Sequence, residues 1–180
     1  NAGAARVTPL LDDGWDRVEQ MLALNTRAQV QLCRAFGQTM APGDRIVITG
    51  SLVGVPAHGC AGAAAYAGTK AFLRSFGNAL HDELRPRGVG VTVLLPGATD
   101  SRFAAAGNME QSVVFNWPGM RPLGVVMQPD EVARAAVKSR RREVVPGIAN
   151  KGYAFCAELL PNWVGSSVAK LLFNPPPRRL

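Results

Sequence analysis

Tyr66 and Lys70 stand four residues apart in the segment AAYAGTK. On a helix, residues at positions i and i+4 share a face, so the Lys70 ammonium would lie beside the Tyr66 phenol. A free phenol has a pKa of about 10, and a nearby cation favours its ionised form. The pair therefore predicts that Lys70 lowers the pKa of Tyr66 toward the range of a general acid or base. An isolated pair of this kind also fits a surface lysine beside a half-buried tyrosine.

Two short apolar segments flank this pair and are predicted to be strands. Residues 45–50 run into Ser51, and residues 89–95 run into the sequence Pro-Gly-Ala-Thr-Asp-Ser. Residues 64–84 between them carry apolar side chains at helical spacing. These apolar residues are predicted to be core or subunit-contact positions: Phe72, Phe76, Ala79 and Leu80.

Other stretches complete a pattern of alternating helices and strands. Residues 15–36 are predicted to form a helix whose start is capped by Asp12 and Asp13. Gln128 and Pro129 open a further helix, and residues 143–145 form a short final strand. Residues 154–173 are apolar but broken by Pro161 and Gly165. They are predicted to cover the sheet, with contact to a lipid-like ketone as the alternative.

Taken in order, several motifs resemble the short-chain dehydrogenase/reductase family. They are Asn1-Ala2-Gly3, Asn25, Ser51, the Tyr66–Lys70 pair and the Pro96-Gly97 turn. The resemblance covers nearly the whole chain and is weaker beyond Ser101. It implies one α/β domain over residues 1–180, a Rossmann-type doubly wound parallel sheet of which the chain holds the later strands and helices.

The resemblance also implies a role for each matching residue. Tyr66 would be the general acid in carbonyl reduction and the base in alcohol oxidation. Lys70 would lower the pKa of Tyr66 and bind the nicotinamide ribose, and Ser51 would donate a hydrogen bond to the substrate oxygen. Asn25 would hold a water that links Lys70 to solvent, unless it is an exposed helix asparagine.

The implied cofactor is NAD or NADP, and the choice between them is not readable from this chain. Pro96 and Gly97 would shape the turn beneath the nicotinamide, while Thr99 and Ser101 would hold its carboxamide and the pyrophosphate. The adenosine side would be flanked by Asn1, Ala2 and Gly3.

Residues 101–127 lack clear periodicity and occupy the position of the family's substrate-covering loop. Their aromatic side chains are predicted either to line an apolar substrate pocket or to pack under a lid: Phe103, Phe115 and Trp117. The loop between Ser51 and Tyr66 is about two residues longer than the family norm. His58 and Cys60 in this loop would then either reach the substrate or serve only as loop residues.

The family's Gly-rich pyrophosphate turn is absent from this sequence, and the chain begins with Asn1. We therefore expect the chain to be the C-terminal part of a longer protein. The predicted function is NAD(P)-dependent interconversion of a ketone or aldehyde and an alcohol. One alternative is an inactive fragment or degenerate nucleotide-binding module. The other is a sugar-nucleotide epimerase or dehydratase, which shares the Tyr–Lys pair.

Composition narrows the partners of the protein. The net charge is +7, but its arginine clusters at 140–142 and 178–179 lack interleaved aromatic residues, so no nucleic-acid binding is predicted. The cysteines at 33, 60 and 156 form no metal-ligand spacing and indicate reduced, cytoplasmic thiols, with Cys33 and Cys156 in the core. No apolar run is long enough to cross a membrane. A homo-oligomer acting on a small carbonyl or alcohol substrate, apolar or lipid-like, is expected.

Overall fold

A three-stranded parallel sheet forms the centre of the computed structural model, which describes residues 2–56, 59–107, 109 and 112–173. Its strands are β1 (Arg45–Thr49), β2 (Gly90–Leu94) and β3 (Glu143–Val144), in the spatial order β1-β2-β3. Ile48 lies opposite Val93, and Val93 opposite Glu143. All three strand predictions are confirmed to within one residue at either end.

The first long helix contains a π-helical turn. Helix α1 (Trp15–Leu22) passes through a π segment (Ala23–Arg27) into α2 (Ala28–Thr39). The predicted capping by Asp12 and Asp13 is wrong: α1 begins after Gly14 without a side-chain cap. The Asp13 carboxylate instead accepts a hydrogen bond from Arg6 Nε at 3.0 Å.

Helix α3 (Ala64–Leu84) has both of its predicted ends and packs on one face of the sheet. Gly77 permits this close approach, because a Cβ there would lie 2.5 Å from Val93 Cγ2. Phe76 and Leu80 pack against the core, as predicted. Phe72 is partly exposed and stacks on Phe76 with ring centroids 5.8 Å apart.

Helix α6 (Pro129–Lys138) covers the opposite face of the sheet. Its predicted start is confirmed by a capping box, in which Gln128 N donates to the Glu131 carboxylate at 3.0 Å. Val132 packs against Leu94 of β2. Helices on both faces of a parallel sheet confirm the doubly wound α/β fold. Two short helices, α4 (Arg102–Ala106) and α5 (Val113–Asn116), lie in the segment predicted to lack periodicity.

Two helices end the described chain, α7 (Ile148–Leu159) and α8 (Asn162–Phe173). They are separated at Pro161 as predicted, but Gly165 lies inside α8, and α7 begins six residues earlier than expected. It does so because Gly147, with φ of 81°, turns the chain from β3 directly into the helix. Among the described residues, no helix has the length and apolar character needed to cross a bilayer.

Arg74 of α3 holds α7 in place. Its guanidinium donates to the Glu143 carboxylate at 2.8 and 2.9 Å and to Glu158 of α7 at 2.6 Å. Cys156 on α7 is exposed, so its predicted core position is wrong, because the helix turns that face to solvent. Cys33 is buried as predicted.

Candidate active site

The carboxyl ends of β1 and β2 open into a cleft of about 690 Å³. Ligands of doubly wound sheets bind at this end of the strands, and the volume is within the range of small-molecule sites. The cleft is lined by these predicted site residues: Ala2, Gly3, Ser51, Tyr66, Lys70, Pro96, Gly97, Thr99, Ser101, Phe103 and Phe115. The fold therefore gathers residues that lie more than a hundred positions apart in the sequence.

Tyr66 and Ser51 meet on one wall of the cleft. Tyr66, near the start of α3, is only 4% exposed, and its side chain hydrogen-bonds that of Ser51. Ser51 directly precedes a 3-10 turn (Leu52–Gly54), and its Oγ accepts a hydrogen bond from Val53 N at 3.2 Å. This turn fixes the serine hydroxyl beside the phenol.

Lys70 lies one helical turn beyond Tyr66, as the spacing predicts. Its Nζ is 5.8 Å from the centre of the Tyr66 ring and donates to Thr49 O, at the end of β1, at 2.9 Å. A Cβ on Gly3 would lie 3.9 Å from this nitrogen. The ammonium group thus sits between the strand end and the Ala2–Gly3 segment.

Burial controls the ionisation of both residues. It raises the pKa of Tyr66 to about 12, and the hydrogen bond with Ser51 offsets part of the rise. It lowers the pKa of Lys70 to about 8. The predicted net lowering of the Tyr66 pKa is therefore wrong, because withdrawal of the phenol from water has the larger effect.

Asn25 lies within the π-helical turn and is buried, not exposed. Its Oδ1 accepts from Ala4 N at 2.9 Å, and its Nδ2 donates to Ala4 O at 2.8 Å and to Thr69 Oγ1 at 3.2 Å. The side chain thereby ties the N-terminal segment to α3, directly beside Lys70. It does not itself line the cleft.

The turn that follows β2 also lines the cleft and adjoins Ser51, because Leu52 N donates to Pro96 O at 2.9 Å. Thr99 Oγ1 donates to Gly97 O at 3.2 Å, and Asp100 N donates to Met127 O at 2.9 Å. These bonds shape the turn that carries Pro96 and Ser101. Ala2 and Gly3 also line the cleft, near Lys70, while the predicted cofactor contact Asn1 lies outside the described residues.

Two of the three aromatic residues predicted at the site line the cleft, and the third does not. Phe103 lies on the cleft with its ring centre 6.3 Å from that of Tyr66, and Phe115 also lines the cleft. Trp117 is 59% exposed and does not line it, because α5 ends just before this residue and the side chain points to solvent. Cys60 is buried in the core cluster and not in the cleft lining, and His58 lies outside the described residues.

Helix α7 supplies cleft residues that the sequence analysis missed. Asn150 and Tyr153 both line the cleft. The predicted helix begins at residue 154, so no element is predicted at Asn150. The signal that would have found Asn150 is a polar residue three positions after Gly147, at the start of an apolar helix.

In the parts of the chain that the structure describes, no group of His, Cys, Asp and Glu side chains forms a metal site.

A parallel sheet with helices on both faces, and with Ser51, Tyr66 and Lys70 together at its carboxyl edge, places the chain in the doubly wound α/β class, whose ligands bind at that edge. Residues 1–138 match a family model described as enoyl-(acyl carrier protein) reductase. The chain belongs to the short-chain dehydrogenase/reductase family.

Individual relatives are similar over most of this chain. Hydroxynaphthalene reductase of Aspergillus fumigatus is 26% identical over 180 residues, which is 98% of this chain and 60% of the relative. Galactitol 2-dehydrogenase of Cereibacter sphaeroides is 29% identical over 76% of this chain and 55% of its own. A solved short-chain dehydrogenase from Sphingobium yanoikuyae, in complex with NADPH, is 30% identical with a TM-score of 0.65, covering 87% of this chain and 59% of that one. The chain thus spans about 60% of the length of these relatives.

Proposed function

We propose that the protein is an NAD(P)-dependent oxidoreductase that interconverts a ketone or aldehyde with an alcohol, using Tyr66 as general acid and base. The observation that carries the proposal is the buried Tyr66 phenol, hydrogen-bonded to Ser51 and flanked by Lys70 on the cleft wall. Membership of the family and the NADPH complex of the Sphingobium relative support the cofactor class.

The cleft residues fit the nicotinamide half of such a cofactor. The Pro96–Gly97 turn offers a surface without a bulky side chain, and Thr99 and Ser101 offer polar groups next to it. Lys70 would bind the ribose hydroxyls, and Ala2 and Gly3, which also line the cleft, would flank the adenosine side. When bound, the dinucleotide supplies the hydride; the chain supplies position and the proton.

In the reduction direction, Tyr66 donates its proton to the carbonyl oxygen as that oxygen gains negative charge. A pKa of about 12 keeps the phenol protonated and ready to donate at neutral pH. Ser51 donates a second hydrogen bond to the same oxygen, and Lys70 stabilises the phenolate that remains. Asn25 holds the segment beside Lys70, and a water at Asn25 returns the proton from solvent. We also propose that the protein forms the homo-oligomer predicted from the sequence.

Tyr66→Phe in the natural protein tests this assignment, because it removes the phenolic hydroxyl and leaves the ring. We expect turnover of a carbonyl substrate to fall by about a hundredfold to ten-thousandfold while dinucleotide affinity is kept. Gly68→Ala is the matched control on the same helix, since nothing lies within 4 Å of its added Cβ. Substantial turnover by Tyr66→Phe would refute the mechanism. A wild-type protein that binds the dinucleotide without turning over any carbonyl would instead indicate a binding module.

A further inference from the structure

Asn150, on the α7 wall of the cleft, has no part in the mechanism proposed above. Its side chain is only 2% exposed. Among the residues that the structure describes, its buried Nδ2 has no hydrogen-bond partner. Buried polar groups are nearly always paired, so an unpaired donor on a cleft wall suggests that a ligand completes it.

The amide is held tightly against the turn that follows β2. A Cβ built on Gly97 would lie 2.6 Å from Asn150 Oδ1 and 2.8 Å from Nδ2. A Cβ on Gly147 would lie 3.3 Å from Nδ2. The side chain therefore fits between two glycines and has little room to reorient toward another protein group.

The same helix face continues toward the reacting residues. Tyr153, one turn after Asn150, packs against the core cluster that contains Leu52 and Val55, which follow Ser51 in the chain. Arg74 fixes this helix through Glu158. The Asn150 amide lies against Gly97, and Pro96 O accepts a hydrogen bond from Leu52 N at 2.9 Å, so a molecule whose reacting oxygen binds Ser51 can extend to the Asn150 amide. The remaining wall, at Val114, Phe115, Met120 and Val125, offers only apolar side chains.

We infer that Asn150 is a substrate-binding residue that donates a hydrogen bond to a second oxygen of the substrate. This inference rests on the proposed function, in which Ser51 and Tyr66 bind the reacting oxygen and Thr99 takes the nicotinamide carboxamide. The substrate class is then a ketone or aldehyde with a further carbonyl or hydroxyl group on an otherwise apolar skeleton. An amide donor is neutral, so it suits a neutral acceptor.

The test compares 2-hexanone with 2,3-, 2,4- and 2,5-hexanedione, which share one skeleton and sample three oxygen spacings. The natural protein is assayed by oxidation of NADPH and of NADH. We expect the wild type to prefer at least one dione to 2-hexanone. Asn150→Leu and Asn150→Asp, which remove the donor at similar size, should lower kcat/KM for that dione by about tenfold to a hundredfold. Their kcat/KM for 2-hexanone should change by less than about threefold, because 2-hexanone has no second oxygen to accept the hydrogen bond.

Stability and cofactor readouts separate the alternatives. Because Nδ2 has no partner within the described part of the chain, Asn150→Leu should leave Tm unchanged or higher. Gly152→Ala, on the exposed side of α7 with nothing within 4 Å of the added Cβ, is the matched control and should behave as the wild type.

Several outcomes would overturn the inference while leaving the proposed function intact. One is a wild type that does not prefer any dione to 2-hexanone. Others are Asn150 variants that lose kcat/KM equally on all four ketones and have a lower Tm, or variants in which KM rises for the dinucleotide and not for the dione. Unchanged kinetics in both variants would overturn the inference as well. A wild type that oxidises neither dinucleotide with any of the four ketones would overturn the proposed function itself, and the inference with it.

Discussion

Gly54→Ala is expected to disturb the geometry of the candidate active site, although Gly54 does not line the cleft. Gly54 ends the turn that follows Ser51, and this turn packs directly on the backbone of α3. A Cβ at Gly54 would lie 2.4 Å from the carbonyl carbon of Lys70 and 2.5 Å from the nitrogen of Ala71. Ordinary contact begins at 3.4 Å, so the turn or the helix must move by about 1 Å.

That displacement separates Ser51 from the helix that carries Tyr66 and Lys70. Misplacing reacting groups by about 1 Å costs on the order of a hundredfold in rate, so kcat should fall by about that factor. Overpacking costs about 1–3 kcal/mol, so the free energy of unfolding should also fall by that amount. Initial rates of NADPH or NADH oxidation and urea denaturation of the natural protein measure the two effects.

Gly68→Ala provides the contrast, although it lies between Tyr66 and Lys70 in the sequence. Its added Cβ meets no atom within 4 Å, so kcat should be unchanged. Replacing a helical glycine by alanine should raise the free energy of unfolding by about 0.5–1 kcal/mol. If Gly54→Ala kept wild-type kcat and stability, the close contact between the turn and α3 would not control the geometry of the site.

Two further predictions concern Lys70 and Asn25. Burial lowers the pKa of Lys70 to about 8, against about 10.4 for an unfolded chain, so between these pH values the unfolded state holds more protons. Raising the pH from 8 to 10.5 should then increase the free energy of unfolding of the wild type, relative to that of Lys70→Met, by up to about 3 kcal/mol. Urea denaturation at both pH values measures this difference. An equal pH dependence in the two proteins would show that the lysine is not buried. Asn25→Leu leaves both backbone groups of Ala4 unpaired and should cost at least about 2 kcal/mol, with faster hydrogen exchange at the Ala4 amide. Unchanged exchange there would contradict the tether.

Much of the fold was readable because its signals are local. The ends of α3 follow from apolar spacing and from the Pro86–Gly88 break, and the strands follow from short apolar runs that end at turns. The pairing of Tyr66 with Lys70 needs only helical spacing, since both lie on one element. These features depend on residues close together in the chain, which the sequence displays directly.

Features that depend on how distant elements pack could not be read in this way. Trp117 points away from the cleft because of where α5 ends, and α7 begins early because Gly147 turns the chain after β3. The pKa of Tyr66 is raised, whereas the Tyr–Lys spacing predicts a lower value. The difference arises because burial depends on how the layers assemble and not on that spacing.

The sequence by itself determined the candidates for chemistry, since Ser51, Tyr66 and Lys70 are proposed from residue type, spacing and neighbouring strands. Only the tertiary structure decided what surrounds them. Asn25 meets Thr69 across 44 positions, and Asn150 meets Gly97 across a larger separation, because the helices on both sides of the sheet converge at one strand edge. Contacts between such distant residues arise only when the layers pack, so no local pattern carries them.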